Sequence, residues 1–293
     1  MSDTSETLRR KIGSASDLQS VVRSMKALAA SSIGQYENSV RALDDYYRTV
    51  ELGLSACFRE TSSAAEPESS TTAHAVSAIV FGSDQGLVGQ FNDVIANHAI
   101  KALSGLPGKA QIWAVGERVH SRLADAGVPP IGLFAVPNSV QAITPLVGQL
   151  QIHSETQRHV SGTTSLWVFH NRPLAGALFE PVGQRLLPLD AQWQRDLAKI
   201  RWPTDNLPEV TGRGTTTLRA LLREYLFISL YRACAESLAS ENASRLAAMQ
   251  RADRNINDLL GSLHSEFNQL RQSSIDEELF DVISGFETLG GTY

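Results

Sequence analysis

Cysteine is almost missing from this chain. Two thiols in 293 residues, Cys57 and Cys234, stand far apart without metal-ligand spacing, which excludes a disulfide framework and suits a reducing compartment. The seven histidines form no H-E-x-x-H or C-x-x-C companion pattern. The nearest pair, His153 and His159, is wrongly spaced for one helix face, so no structural metal is expected. Nowhere do about 18 apolar residues run together, as a membrane span requires. The opening "MSDTSETLRRKIGS" puts acids ahead of its basic cluster with no apolar core behind, which fits neither a secretory signal nor a transit peptide. Nor is there an excess of positive charge: 26 Lys and Arg against 31 Asp and Glu give -5 and a pI near 5.8. A general nucleic-acid binder would gather basic residues on one face, so nucleic acid is not an expected partner.

Proline is absent in two long stretches. From Leu8 to about Cys57, apolar or small residues recur at Leu8, Ile12, Ala15, Leu18, Val22, Met25, Ala29, Tyr36, Val40, Leu43, Tyr47, Val50 and Leu54, steps of three or four residues in all but the one from Ala29 to Tyr36, and they predict one long helix. Some 50 residues at 1.5 Å each extend roughly 75 Å. No proline follows Pro208, and a second seam runs through Leu238, Leu246, Met249, Ala252, Ile256, Leu260, Leu263, Phe267 and Leu270, predicting a helix from about Thr216 to Phe286. Isolated helices of this length with one apolar stripe need a partner, and the simplest partner for each is the other. The two ends are expected to form a long antiparallel coiled coil.

The composition between them differs. "TSSAAEPESSTTA" is small, polar and aperiodic, and reads as a linker over 61–73. Beyond it "AVSAIVF", "AQIWAV", "IGLFAV" and "SLWVFH" are short buried-strand candidates, separated by helical stretches such as "NDVIANHAIKAL", "ERVHSRLADAG" and "SVQAITPLVGQLQIHS". That alternation predicts a small α/β domain over 74–200 with a largely parallel sheet. "LFEPVGQRLLPLD" adds one or two edge strands, and a loop over 201–215 leads back to the C-terminal helix, 216–293. The N-terminal helical region is bounded at 1–60.

The strongest candidate for a ligand loop is "FGSDQGLVGQFN", placed after a strand and before a helix. Gly82, Gly86 and Gly89 give G-x-x-x-G-x-x-G, not the dinucleotide spacing, and no G-K-[ST] follows. Ser83 does not sit within a nucleophile elbow. A structural turn built on Ser83, Asp84, Gly86 and Gly89 is favoured over a cofactor site. The acids of "DEELFD" lie on a predicted helix end and read as solvated. With no nucleophile paired to a base, no catalytic residue is identified and no cofactor is expected.

Motifs in three separated regions of the chain, the last holding two strings, carry a family likeness. "LRRKIGSASDLQSVVRSMKALAASS" holds a Met-Lys followed by Ala-Ala-Ser, here Met25, Lys26, Ala29, Ala30 and Ser31. "SDQGLVGQFN" is similar to a Ser-Asp-Arg-Gly-Leu-Cys-Gly-Gly-Leu-Asn turn. "SENASRLAAMQ" follows a Ser-Glu-x-x-Ala-Arg-x-x-Ala-Met run through Ser240, Glu241, Arg245, Ala248 and Met249. Further on, "RQSSIDEELFDVISG" resembles an Arg-Gln-x-x-Ile-Thr-x-Glu-Leu-x-Glu-Ile-x-x-Gly signature at Arg271, Gln272, Ile275, Glu278, Leu279, Asp281 and Gly285. In this order they resemble the gamma subunit of the F-type ATP synthase, over nearly the whole chain. Gln85, Val88, Gln90, Asn242, Asp276 and Phe286 depart from the family's usual residues, a divergence that points to the alternate F-type ATPase branch.

The resemblance implies a coiled coil with an inserted small α/β (Rossmann-like) domain, acting as the noncatalytic central-stalk rotor of a complex that makes or hydrolyses ATP. It implies alpha and beta subunits of the catalytic head, an epsilon subunit and a c-subunit ring as partners. The place it implies is peripheral, on the cytoplasmic side of a bacterial inner membrane, with membrane contact only through the complex. Met25, Lys26, Arg245, Met249, Arg271, Gln272, Ile275, Leu279 and Val282 are the partner-contact residues it implies. Lys26 is expected as an exposed charge and Arg271 as a carboxylate clamp. Two other readings stay open on the residues alone: a free-standing coiled-coil scaffold whose α/β domain recruits a partner, and a nucleotide-binding enzyme using the Gly86 loop.

Overall fold

The computed structural model describes residues 4–61, 75–108, 110–161, 163–174, 179–206, 208–210 and 214–290. Apart from Thr61, the expected linker lies outside these. The two proline-free stretches are α1 (Ser5–Thr61) and α6 (Gly214–Gly290), helices of 57 and 77 residues. Between them come β1 (Ala75–Phe81), α2 (Phe91–Ser104), β2 (Ala110–Val115), α3 (Glu117–Asp125), β3 (Gly132–Phe134), α4 (Ile143–Ser161), β4 (Thr163–Pro173), β5 (Phe179–Leu187) and α5 (Ala191–Ala198).

Two compact units form, residues 1–28 with 246–293, and residues 29–245. In the first, α1 and α6 lie antiparallel. Arg9 sits over the ring of Phe267, Gln19 donates to Asn257, and Lys26 pairs with Asp253, so position falls along one helix as it rises along the other. Val22, Met249 and Ile256 are buried between them, with Met25, Ala252 and Leu260 packed alongside. Without this pairing, each helix would leave its apolar stripe in water.

The larger unit is built on a sheet of order β3-β2-β1-β4-β5, parallel except for the β4–β5 pair. Parallel neighbours require crossovers, and α2, α3 and α4 supply them. Because side chains alternate across a strand, Ile79 and Phe81 of β1 face one core and Val76, Ala78 and Val80 the other. The first core includes Val147 and Leu150 of α4, Cys234 and Leu238 of α6, and Tyr36 of α1. The second takes Ile95 and Ala99 of α2 with Val119 and Leu123 of α3. The expected α/β architecture is therefore present, with β3 reduced to three residues at one edge of the sheet and the "LFEPVGQRLLPLD" stretch forming one strand, β5, at the other.

Helix α5 is not among the expected elements. Asp190 caps it, accepting the Gln192 amide at 2.9 Å, and Trp193 and Leu197, four residues apart, enter a third core with Val50, Leu54 and Tyr225. Eight residues carry too little periodicity to register as a helix in the sequence.

Candidate functional site

The turn after β1 joins three strand ends. The Ser83 amide donates to Asn92 Oδ1 at 2.9 Å, Asn92 Nδ2 donates back to Ser83 Oγ at 2.8 Å, and Ser83 Oγ donates to the Gln85 carbonyl at 2.8 Å. Asp84 reaches further: its Oδ1 accepts the Glu117 amide at the start of α3, at 3.0 Å, and its Oδ2 accepts the Val136 amide beyond β3, at 2.9 Å. A carboxylate at a helix N-terminus satisfies free amides and the helix dipole together. Here the chain supplies that anion itself. Gly89 adopts φ 59°, which favours glycine, whereas a side chain at Gly86 would meet nothing closer than Arg118 at 3.8 Å. The residue that sequence reasoning missed is Gly116: at φ 117° its absent Cβ would lie 2.8 Å from the Ser83 backbone.

The strand order reverses between β1 and β4, and the crevice at such a reversal is where doubly wound folds seat nucleotides. Helix α6 puts its own polar groups there. Ser244 Oγ donates to the Val88 carbonyl in the turn at 2.5 Å, and Ser240 Oγ donates to the Asn171 carbonyl at the end of β4 at 3.0 Å. Glu236 meets His170 Nε2 of β4 at 2.8 Å and Arg232 Nε at 3.0 Å, with Arg172 Nε at 3.4 Å. Burial pushes the Glu236 carboxyl up, but the hydrogen bond and charge of His170, joined by Arg232, outweigh it and hold the group at about 2. Next along, Arg245 Nη2 donates to Glu241 Oε1 at 2.6 Å. Burial raises the Glu241 carboxyl, opposed by the Arg245 charge.

The residues implied as partner contacts divide into two groups. Arg245 is mostly enclosed and bonded to Glu241, and Met249, 3% exposed, lies between the paired helices. Met25 is half-buried beside it, and of the run Ser24–Ser32 only Ala29 is buried. Lys26 differs from the expectation of a free surface charge: its side chain is 36% exposed, and its ammonium donates to Asp253 at 2.9 Å, with Arg23 3.5 Å from the other oxygen. That bond, aided by both cations, holds the Asp253 carboxyl low. The second group is open. Arg271 and Gln272 are exposed, and Ile275, Leu279 and Val282 are 55%, 58% and 58% exposed. With Ile283 they recur at helical spacing along the end of α6, an apolar stripe facing water.

The ATP synthase family model matches residues 4–289. The chain belongs to the ATP synthase gamma family. It is 26% identical to the ATP synthase gamma chain of Methylibium petroleiphilum, with 97% of this chain and 98% of that one covered, and 25% identical to that of Dechloromonas aromatica, with 95% and 96% covered. Among solved structures, it resembles a chain of the Euglena gracilis mitochondrial ATP synthase, OSCP/F1/c-ring, in rotational state 3 (TM-score 0.66, 16% identity, 97% and 94% covered). It is also similar to one from the rotor of that enzyme (TM-score 0.62, 15% identity, 92% and 98% covered). Membership covers both helices and the inserted domain. Among the described residues no helix is long and apolar enough to cross a membrane.

Proposed function

We propose that this chain is the central-stalk rotor subunit of an F-type ATP synthase or ATPase, turning within a head of alpha and beta subunits and joined to an epsilon subunit and a c-subunit ring. The observation that carries the reading is the end-to-end family match, which takes in the exposed stripe at the end of α6 as well as the paired helices. In this reading the chain performs no chemistry: its angle biases which beta subunit is open, and so links ion flow across the membrane to ATP chemistry elsewhere. It works peripherally, on the cytoplasmic side of a bacterial inner membrane.

Ile275, Leu279 and Val282 run in an apolar sleeve of the head, where contact without directional bonds permits turning. Arg271 and Gln272 bond to a beta-subunit loop, the arginine fork suiting a carboxylate. Met25, Lys26, Arg245 and Met249 shape the narrow region the beta subunits press upon, Met249 from within the helix pair and Lys26 through its exposed third.

Native mass spectrometry of the tagged chain from its own host, with ATPase activity assayed on the same sample, tests this. One copy held with three alpha and three beta subunits, and activity altered when the tail after Leu270 is removed, is the expected result. A stable homodimer without those subunits overturns it in favour of a scaffold.

A further inference from the structure

Glu236, Ser240 and Ser244 stand four residues apart on α6, and all three are buried. Four residues are a little over one helical turn, so the three form a polar row roughly 12 Å long on one face. Every member bonds across to the α/β domain: Glu236 to His170 and Arg172, Ser240 to the carbonyl of Asn171, and Ser244 to the carbonyl of Val88. On β4 the partners are three consecutive residues. His170 and Arg172 share one face of the strand, as its period of two requires, and between them Asn171 offers its carbonyl. Asn171 also donates its side-chain amide to the Phe91 carbonyl at 3.0 Å, tying the same strand end to the start of α2. The groups around Glu236 extend to both flanks: Arg172 reaches Glu180 of β5 at 3.8 Å, and Arg232 reaches Asp44 of α1 at 4.0 Å.

An apolar row would hold these layers together at less cost, because each buried polar group must recover its lost hydration. What it would not supply is direction. Apolar contact is indifferent to small sliding or turning of a helix, whereas a hydrogen bond weakens steeply as donor and acceptor leave their line. Bonds from three spaced positions to two different elements of the domain, β4 and the turn after β1, resist both movements of α6.

We propose that Glu236, Ser240 and Ser244 are a register lock: positioning residues that make the α/β domain and α6 turn as one body, so that torque applied to the domain enters the helix without slip. This rests on the rotor reading above.

The test uses the assembled complex with its head immobilised and stalled, and a probe fixed to the α/β domain whose thermal angular fluctuation is recorded. Rotation of the unmodified complex under ATP is observed first, and its absence would count against the rotor reading alone. In the combined variant Glu236→Gln, Ser240→Ala and Ser244→Ala, angular variance should rise severalfold and ATP-driven ion pumping per ATP hydrolysed should fall, with hydrolysis by the detergent-solubilised complex retained. Should that variant fail to assemble, Ser244→Ala against Ser244→Thr makes the same comparison: alanine raises the variance, and threonine, which keeps the hydroxyl, restores it. Variance and pumping ratio equal to those of the unmodified complex overturn the lock.

Discussion

Gly116 and Glu236 show how single positions constrain the larger unit. Gly116 opens α3 with its missing Cβ against the Ser83 backbone, which is not the free end of a flexible side chain and has little room to yield. Gly116→Ala should therefore lower stability by about 2 kcal/mol or more, read from denaturant midpoints, since it combines a disfavoured φ with a backbone clash. Gly86→Ala, with open space and no positive φ, should cost far less. Glu236 makes a pH-dependent contribution. Its carboxyl is lower in the folded chain than its ordinary 4.5, at about 2, so its stabilisation is complete above pH 4.5 and is lost as pH falls towards 2. The melting-temperature deficit of Glu236→Gln should be full above pH 4.5 and shrink below it. A deficit that stays constant across that window would mean the carboxylate charge is not what holds His170.

At the scale of elements, the helix pair and the end of α6 obey opposite rules. Within the pair, Ile256 is buried with Val22 and Met249, and Ile256→Ala should cost about 3 kcal/mol through lost burial and the cavity left behind. Leu259, half exposed only three residues on, should change stability by no more than about 0.5 kcal/mol as Leu259→Ala. Equal losses at the two positions would mean that the seam is not where the structure puts it. Along the end of α6 the apolar residues face water, so Leu279→Ala and Val282→Ala should leave the melting temperature of the isolated chain almost unchanged while altering the ATPase activity of the assembled head. A drop in chain stability with no change in activity would assign the stripe to the chain's own packing.

For the whole molecule, the question is what occupies the crevice at the sheet's strand reversal. In a nucleotide-binding enzyme a phosphate would sit there against free amides. Here Asp84 takes the Glu117 and Val136 amides, and Ser240 and Ser244 bring α6 against the turn and the end of β4. ATP or ADP in large excess should accordingly leave the thermal midpoint of the isolated chain where it is. A site filled at a hundredfold excess over its Kd would instead add about 2.7 kcal/mol, an unmistakable upward shift.

The sequence by itself determined the long helices and the inserted parallel sheet. Helical periodicity sustained over dozens of proline-free residues admits no other local structure, and short apolar runs alternating with helical patterns require crossovers. It also carried the family, because Met25–Ser31, Ser83–Asn92, Ser240–Met249 and Arg271–Gly285 are local strings that need no fold to be read. It marked the turn around Ser83 and Asp84 but not its bonds to Glu117 and Val136, which lie 33 and 52 residues away from Asp84. The pairing of Lys26 with Asp253 across 227 residues, the short helix α5 and the polar row at Glu236, Ser240 and Ser244 were decided only by the tertiary structure. Glutamate and serine on a helix face read as solvent-facing until a strand end and a turn, distant in sequence, are folded against them.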